Sequence, residues 1–255
     1  MKFIFQIYLK FLAKIILKKF KPRIIAVCGS TNKSTAVAAI ARALSPQIEI
    51  AASPKNYNAE IGIPLSVLRI QPEGATKIER WSSIAWRALR QVLSLKTYPK
   101  IILLEFGMHT PKDAETVLSI ATPDICIFTN LAPSILSHTD KSDQYNKTFS
   151  YFLRRLPKDT ILITNSDDPH LEELAQFFPD KVLRYGQSAS SGWKLSEISD
   201  TDAGQEFSIG CGGEIFPIKI KEFGLHHAYI AAAAFALSSE LKLDLKKIQR
   251  EFCNK

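Results

Sequence analysis

The sequence has little cysteine, and its four cysteines are widely spaced. Cys28, Cys126, Cys211 and Cys253 form no C-x-x-C pair, which argues against a zinc site. Cys28 and Cys126 fall within apolar segments typical of buried strands. We therefore expect them to be free, buried thiols in a reducing cytosol.

Acidic residues are absent from residues 1–23, which carry seven of the 33 lysines and arginines. The net charge of +8 is therefore almost entirely a property of this segment, because the remainder has 26 basic and 25 acidic residues. The body of the chain lacks the basic and aromatic stripe that is typical of nucleic-acid binding, so we expect no nucleic-acid partner.

Long uncharged runs are also missing from residues 1–21. The longest, Phe3 to Leu9, is too short to span a bilayer, and no small-residue cleavage site follows it. Polar residues recur every fourth position, which predicts a basic amphipathic helix over 1–21: Gln6, Lys10, Lys14 and Lys18. Two alternatives remain open. The helix lies on an anionic membrane surface, or it packs on the domain or on a partner domain.

What the chain does contain is a series of apolar runs that alternate with helical patterns. This alternation predicts an α/β fold with a mostly parallel sheet flanked by helices. We expect a helix that starts at Pro64, and a long amphipathic helix over 77–95 in which Trp81 and Trp86 pack. Residues 187–223 are rich in glycine and alternate in polarity, which predicts antiparallel hairpins at the sheet edge.

The segment 24–35 reads as a strand, a tight loop and the start of a helix. Such a loop suits a phosphate, because backbone N–H groups and the helix N-terminus converge there. Asn32 replaces the usual glycine before the lysine, and asparagine tolerates left-handed backbone. Lys33 would contact phosphates, and Ser34 or Thr35 would offer a hydroxyl to Mg²⁺. The alternative is an ordinary turn with a solvated lysine.

Polar residues follow the other apolar runs, where ligands bind in α/β sheets. Glu105 ends the run 101–105 and is a candidate Mg²⁺ ligand, or a cap of the next turn. His109 lines the site or is a solvated loop histidine. Asn165 and Asp168 contact a base or ribose, or Asp168 caps a helix.

Together these stretches resemble the central ATP-binding domain of the Mur ligase family over roughly residues 22–250. The resemblance implies that Lys33 and Glu105 are catalytic and that Ser34 and Glu105 bind Mg²⁺. The implied nucleotide-binding residues are Gly29, Ser30, Thr31, Asn32, Lys33, Ser34, Thr35, Asn130, Asn165 and Asp168. Asn56 and Asn58 resemble the substrate loop of the dipeptide-adding branch. His226 precedes an alanine-rich helix, as it would in the family.

The sequence also departs from the family pattern. Ile135 occupies the position of a histidine that serves a second Mg²⁺, with His138 three residues further on. Lys147 is the nearest candidate for a carbamylated lysine, although Phe149 aligns about as well. We expect residues 22–255 to be the central domain alone, without the N-terminal UDP-substrate domain and the C-terminal domain.

The implied function is ATP-dependent amide ligation in peptidoglycan precursor synthesis. ATP and Mg²⁺ would act with a UDP-muramoyl-peptide and a dipeptide or amino acid. The alternative is a non-catalytic nucleotide-binding or interaction module that docks through residues 1–21. Under either hypothesis we expect a cytoplasmic protein, peripheral to the inner membrane face if the basic helix binds lipid.

Overall fold

A computed structural model describes residues 2–53, 59–71, 77–131, 141–176 and 181–253. Its centre is a nine-stranded sheet with the order β2-β3-β1-β4-β5-β6-β7-β8-β9. The strands are β1 (Arg23–Cys28), β2 (Ile50–Ala52), β3 (Ile101–Glu105), β4 (Ile125–Phe128), β5 (Ile161–Asn165), β6 (Val182–Gly186), β7 (Trp193–Thr201), β8 (Gly204–Cys211) and β9 (Glu214–Ile220).

The first seven strands of this order are parallel, and β8 and β9 add an antiparallel edge. The predicted mostly parallel sheet and the antiparallel hairpins near the C-terminus are therefore confirmed. Strand β1 pairs on one side with β3, with Val27 opposite Glu105, and on the other with β4, with Cys28 opposite Phe128. Three strands thus end beside one another at the same edge.

Helices cover both faces of the sheet, as a buried parallel sheet requires. They are α1 (Lys2–Phe20), α2 (Lys33–Leu44), α3 (Ala59–Val67), α4 (Lys77–Ser94), α5 (Pro111–Ile120), α6 (Lys141–Leu153), α7 (Pro169–Ala175), α8 (Leu225–Glu240) and α9 (Leu245–Cys253). Alternate residues of β1 point to opposite faces. Ala26 and Cys28 pack beneath α1 and α3–α7, whereas Ile25 and Val27 pack beneath α2, α8 and α9. Cys28 and Cys126 are free and buried, as predicted.

The prediction that a helix starts at Pro64 was wrong. Helix α3 starts at Ala59 and contains Pro64 in its interior. Proline has no N–H, so it cannot donate to the Glu60 carbonyl as the helix pattern would require. The helix forms nevertheless because Ile63 and Leu65 are buried in the core between β3, α1 and α5.

Helix α1 packs on the domain. Leu9, Leu12, Ala13 and Ile16 are buried, and the helix contacts α3 and α4. The helix itself was predicted, and its packing corresponds to one of the two alternatives for residues 1–21. Within the described ranges, every helix is too short or too polar to cross a bilayer.

The expectation that both tryptophans of α4 pack was half wrong. The Trp81 ring lies 4.3 Å from the ring of Phe5 in α1. Trp86, in contrast, is 67% exposed. The two differ because α1 covers the side of α4 that carries Trp81 and leaves the side that carries Trp86 uncovered.

Candidate functional site

The loop between β1 and α2 has the backbone that the sequence predicted. Gly29 has a φ of 137°, and a Cβ atom there would lie 2.2 Å from the Thr129 hydroxyl oxygen. Only glycine fits this position without moving its neighbours. Asn32 has a φ of 61° and a ψ of 10°, so it holds the left-handed turn that precedes α2. The prediction that asparagine serves here in place of glycine is confirmed.

The N-terminus of α2 presents donors at the end of this loop. No side chain caps the helix, and the first internal bond runs from the Ala36 N–H to the Asn32 carbonyl at 2.9 Å. Among the described residues, nothing accepts from the N–H groups of Lys33, Ser34 and Thr35. Unpaired N–H groups at a helix N-terminus attract an anion.

Lys33 lies over this loop and is largely buried. Its Nζ donates to the Gly29 carbonyl at 2.9 Å and to the Ser30 carbonyl at 3.3 Å. Burial lowers the pKa of Lys33 below its ordinary value, and the nearby Glu105 carboxylate opposes that change. The ammonium group therefore lies among neutral carbonyls that a phosphate oxygen would replace as a better acceptor.

Ser34 and Glu105 meet beside the loop. The Ser34 hydroxyl donates to Glu105 Oε2 at 2.7 Å, and the Glu105 N–H donates to the Ser53 hydroxyl at 3.1 Å. The sequence left Ser34 and Thr35 as alternatives, and it is Ser34 that contacts the carboxylate, whereas Thr35 is exposed. A hydroxyl and a carboxylate are the oxygen donors that Mg²⁺ takes when phosphates complete its shell, so these residues fit the ion.

Asn130 and Thr129, at the end of β4, hold the loop in place. The Asn130 carbonyl accepts from the Ser30 N–H at 2.8 Å. Its side-chain oxygen accepts from the Thr31 N–H at 3.1 Å, and its amide nitrogen donates to the Thr31 hydroxyl at 2.8 Å. The Thr129 hydroxyl donates to the Thr31 carbonyl, also at 2.8 Å. These contacts show Asn130 as a positioning residue. The site prediction included Asn130 but not Thr129, whose contact with the Thr31 carbonyl has no signal in the sequence.

A cavity of about 220 Å³ adjoins the loop. Its walls are mainly apolar and come from α2, α8 and the ends of β4, β5 and β6, with a few polar groups among them. The lining residues that matter here are Asn32, Asn130, Asn165, His226 and Tyr229. A mainly apolar cleft with a small number of polar groups is typical of a site for a small molecule.

The turn after β5 carries two carboxylates with different contacts. Both oxygens of Asp168 accept backbone N–H groups: Oδ1 caps α7 through His170 at 3.0 Å, and Oδ2 accepts from Leu131 at 2.6 Å. Asp168 therefore caps a helix, as one of the two alternatives predicted, and a nucleotide contact of Asp168 stays a prediction. Asn165 Oδ1 accepts from the Asp167 N–H at 3.0 Å and faces the cavity.

Asp167 is a contributor that the site prediction missed. Its carboxylate accepts from the N–H groups of Gln187 and Ser188, at 2.6 and 2.8 Å, and from the Tyr229 hydroxyl at 2.8 Å. Burial and this bond raise the pKa of Tyr229 to about 12. Asp167 thereby ties the end of β5 to α8 and fixes one wall of the cavity. In the sequence, Asp167 stands in a polar turn after a strand, within the stretch 165–168 that resembles a family motif.

The histidine and lysine candidates are placed differently. His226 lines the cavity, and its ring lies 4.1 Å from that of His227. His109 Nδ1 is 3.1 Å from the Tyr145 hydroxyl of α6. Lys147 is exposed and lines a groove along α6 that is separate from the phosphate loop.

Phe149, the alternative to Lys147, is buried against Phe128 at the end of β4. The two asparagines of the expected substrate loop and the positions expected to serve a second metal lie outside the described residues: Asn56, Asn58, Ile135 and His138.

Comparison with known families decides the assignment. The Mur ligase middle domain family matches residues 87–238, which is more than half of the chain. This chain belongs to the Mur ligase family. The match favours the ATP-binding domain of a Mur ligase over the alternative of a non-catalytic nucleotide-binding or interaction module.

Curated members of the Mur ligase family are similar to most of this chain. The UDP-N-acetylmuramoyl-tripeptide–D-alanyl-D-alanine ligase of Bacillus subtilis is 26% identical over 225 residues, which are 88% of this chain and 43% of that protein. The ligase of the same name from Synechocystis is 24% identical over 233 residues, which are 91% of this chain and 44% of that protein. The chain thus spans less than half the length of these relatives.

Solved Mur ligase structures share the fold. MurF from Acinetobacter baumannii superposes with a TM-score of 0.72 at 16% identity, over 97% of this chain and 49% of that one. MurF from Thermotoga maritima in complex with ADP superposes with a TM-score of 0.71 at 19% identity, over 94% and 51%. At these identities the likeness establishes the fold only.

Proposed function

We propose that this chain binds Mg-ATP at the loop of residues 29–35 and serves as the ATP-binding part of an amide ligase in peptidoglycan precursor synthesis. The observation that carries the proposal is the convergence at one sheet edge of Lys33, the N-terminus of α2 and the Ser34–Glu105 pair. Each of these features serves a different part of a nucleoside triphosphate, and a solvated turn would need none of them.

The triphosphate would lie over the loop, with its negative charge facing the first turn of α2. The N–H groups there would donate to phosphate oxygens, and Lys33 would exchange its two loop carbonyls for phosphate oxygens. Mg²⁺, held by Ser34 and Glu105, would neutralise charge on the phosphates. The neighbouring cavity would take the base, with amide groups such as Asn165 in its wall.

The reaction proposed for the whole enzyme has two steps. A substrate carboxylate attacks the γ-phosphorus, the bond to ADP breaks, and an acyl phosphate forms. An amine then attacks the acyl carbon and releases phosphate to give an amide. Catalysis of this type depends on positioning and charge neutralisation, which Lys33 and Glu105 would supply.

The proposed substrates are those of the similar D-alanyl-D-alanine ligases. We take the carboxylate donor to be a UDP-muramoyl-peptide and the amine to be a dipeptide such as D-alanyl-D-alanine, or an amino acid. Residues 22–255 correspond to the central domain of such an enzyme, with α1 packed against it. Delivery of both substrates would involve surfaces beyond this ATP site.

Nucleotide binding is tested by calorimetric titration of the chain with ATP, in Mg²⁺ and in EDTA. We expect saturable binding that is tighter with Mg²⁺. Lys33→Ala should weaken it about 10- to 100-fold, since hydrogen bonds to charged groups contribute about 1.5–3 kcal/mol. Glu105→Gln should abolish the difference between Mg²⁺ and EDTA. Lys221→Ala, which removes an exposed lysine, is the matched control and should bind as the unaltered chain does.

Two results would count against the proposal. Absence of ATP binding, or equal affinity of Lys33→Ala and the unaltered chain, would refute the nucleotide site itself. The ligase step is tested by phosphate release with UDP-muramoyl-tripeptide, D-alanyl-D-alanine and Mg-ATP. Tight ATP binding without phosphate release would refute ligation by this chain alone and keep the nucleotide site.

A further inference from the structure

Helices α1 and α4 expose an unusual number of large apolar side chains, and we call this surface the α1–α4 face. On α1 the exposed residues are Phe3 (71%), Ile4 (71%), Ile7 (52%) and Phe11 (62%); on α4 they are Trp86 (67%), Leu89 (36%) and Leu93 (76%). They account for seven of the ten exposed large hydrophobic residues in the described part of the chain. Such a concentration on two neighbouring helices marks an interaction surface.

The two helices lie side by side and run in the same direction. Three contacts follow one another along both: Phe5 with Trp81, the Tyr8 hydroxyl with the Ala85 carbonyl at 3.0 Å, and Lys19 Nζ with the carbonyl of Leu95, just after α4, at 2.9 Å. The exposed side chains therefore lie on two neighbouring helices, each opposite to the residues that its helix buries in the core.

The charge of these two helices is predominantly positive. Residues 1–23 contain seven lysines and arginines and no acid, and α4 contains four lysines and arginines and one acid, Glu79. Lys14 and Lys18 continue the exposed side of α1 beyond Phe11, and Arg90 lies between the exposed leucines of α4; all three are exposed.

The acidic residues near α1 lie on its other flank, toward α3 and α5. Glu60 of α3 accepts a hydrogen bond from Gln6. Glu115 of α5 acts electrostatically on Lys10, whose Nζ also donates to the Ser119 hydroxyl. These carboxylates do not interrupt the apolar and basic surface that α1 and α4 share.

We propose that the α1–α4 face binds the surface of an anionic lipid bilayer. The apolar side chains would enter the boundary between headgroups and acyl chains, and the flanking lysines and arginines would contact anionic headgroups. Trp86 lies among them, and tryptophan favours this boundary. The binding is peripheral, since no described helix can cross a bilayer. A second copy of this chain is a poor occupant, because it would bring together two surfaces that both carry a net positive charge.

The test is flotation of the whole chain with lipid vesicles. We expect binding to vesicles that contain phosphatidylglycerol and much weaker binding to pure phosphatidylcholine. Binding should fall steeply between about 0.1 M and about 1 M salt, where the Debye length drops from about 10 Å to about 3 Å. Tryptophan emission should shift to shorter wavelength on binding, and Trp86→Phe should lose most of that shift.

Matched variants separate this face from the general basicity of the chain. Ile4→Ser should weaken vesicle binding about fivefold, whereas Ile215→Ser, at an equally exposed isoleucine on β9, should leave it unchanged. Lys14→Gln with Lys18→Gln should weaken it about fivefold per charge. The control pair, Lys246→Gln with Lys247→Gln on α9, removes the same charge elsewhere and should have no such effect.

Several outcomes would overturn the inference. These are failure to bind anionic vesicles, equal binding to neutral vesicles, and equal effects of the face and control variants. A dimer that Ile4→Ser disrupts would assign the face to a second copy instead. Circular dichroism and thermal unfolding of each variant show that it is folded, and these measurements do not depend on the proposed nucleotide site.

Discussion

Replacement of Gly29 by alanine probes the phosphate loop most directly. The φ of 137° lies where side-chain-bearing residues are strained, at a cost of about 1–3 kcal/mol. The new Cβ would also lie 2.2 Å from the Thr129 hydroxyl oxygen and 2.9 Å from the Asn130 carbonyl oxygen. Moving the Thr129 hydroxyl breaks its 2.8 Å bond to the Thr31 carbonyl, which adds about 1 kcal/mol. We expect Gly29→Ala to lower the free energy of unfolding by about 2–4 kcal/mol.

Urea unfolding measures this loss, and a second glycine calibrates it. Gly212 has a φ of 60° in the β8–β9 turn, with no atom within 4 Å of an added Cβ. Gly212→Ala should therefore cost only the left-handed backbone strain, about 1–2 kcal/mol. Gly29→Ala should also weaken ATP binding, because the loop must shift, whereas Gly212→Ala should not.

A double-mutant cycle isolates the contact from the backbone strain. Thr129→Ala removes the hydroxyl nearest to the added Cβ and leaves the strain of the φ value in place. In that background Gly29→Ala should cost about 1 kcal/mol less than in the unaltered chain, since the hydrogen bond is already lost. The reasoning fails if the two alanine substitutions add without coupling, or if Gly29→Ala costs no more than Gly212→Ala.

Three further predictions concern single residues. Asn32→Gly should keep or slightly raise the free energy of unfolding, because glycine adopts the left-handed backbone without strain, and it should retain ATP binding. Thermal unfolding and ATP titration check these two results. Loss of ATP binding would show that the Asn32 amide itself contacts the ligand. Asp168→Ala should lower the unfolding free energy by about 2–4 kcal/mol, because it removes a helix cap and leaves the buried Leu131 N–H unpaired; a loss below about 1 kcal/mol would contradict this. The pKa of Lys33 is lowered in the folded chain, so at a pH just below the ordinary value of 10.5 the unfolded chain holds more protons than the folded chain. The free energy of unfolding, measured relative to that of Lys33→Met, should therefore rise with pH in that window. A difference that stays flat or falls with pH would refute this prediction.

The sheet and the position of the phosphate loop could be predicted because they depend on local signals. Continuous apolar runs that end in a polar residue, such as 101–105, indicate buried parallel strands whatever they pair with. Parallel strands all end at one edge, which is why Glu105 and Asn130 were expected beside Lys33. The left-handed turn at Asn32 also followed from local chemistry, since few residues other than glycine and asparagine tolerate it.

Other features depended on contacts between distant segments, and the sequence gives no direct signal of those. Proline favours the first turn of a helix, so Pro64 was taken as a start. Burial of Ile63 and its neighbours outweighs the lost hydrogen bond and extends α3 backwards. The hydrogen bonds of Asp167 to Tyr229 and of Thr129 to Thr31 likewise need strands and helices that only the fold brings together.

The contacts around Lys33 connect the stability of the loop to its proposed function. Burying an ammonium group among neutral carbonyls is unfavourable, and the lowered pKa of Lys33 expresses that cost in the folded chain. A bound triphosphate would replace the Gly29 and Ser30 carbonyls with charged oxygens and raise the same pKa again. Binding at a pH close to the lowered value would therefore take up a proton, whereas binding well below it would not. A bound phosphate would thus offset the cost of removing the Lys33 ammonium from water, which would account for the burial of Lys33 at this loop.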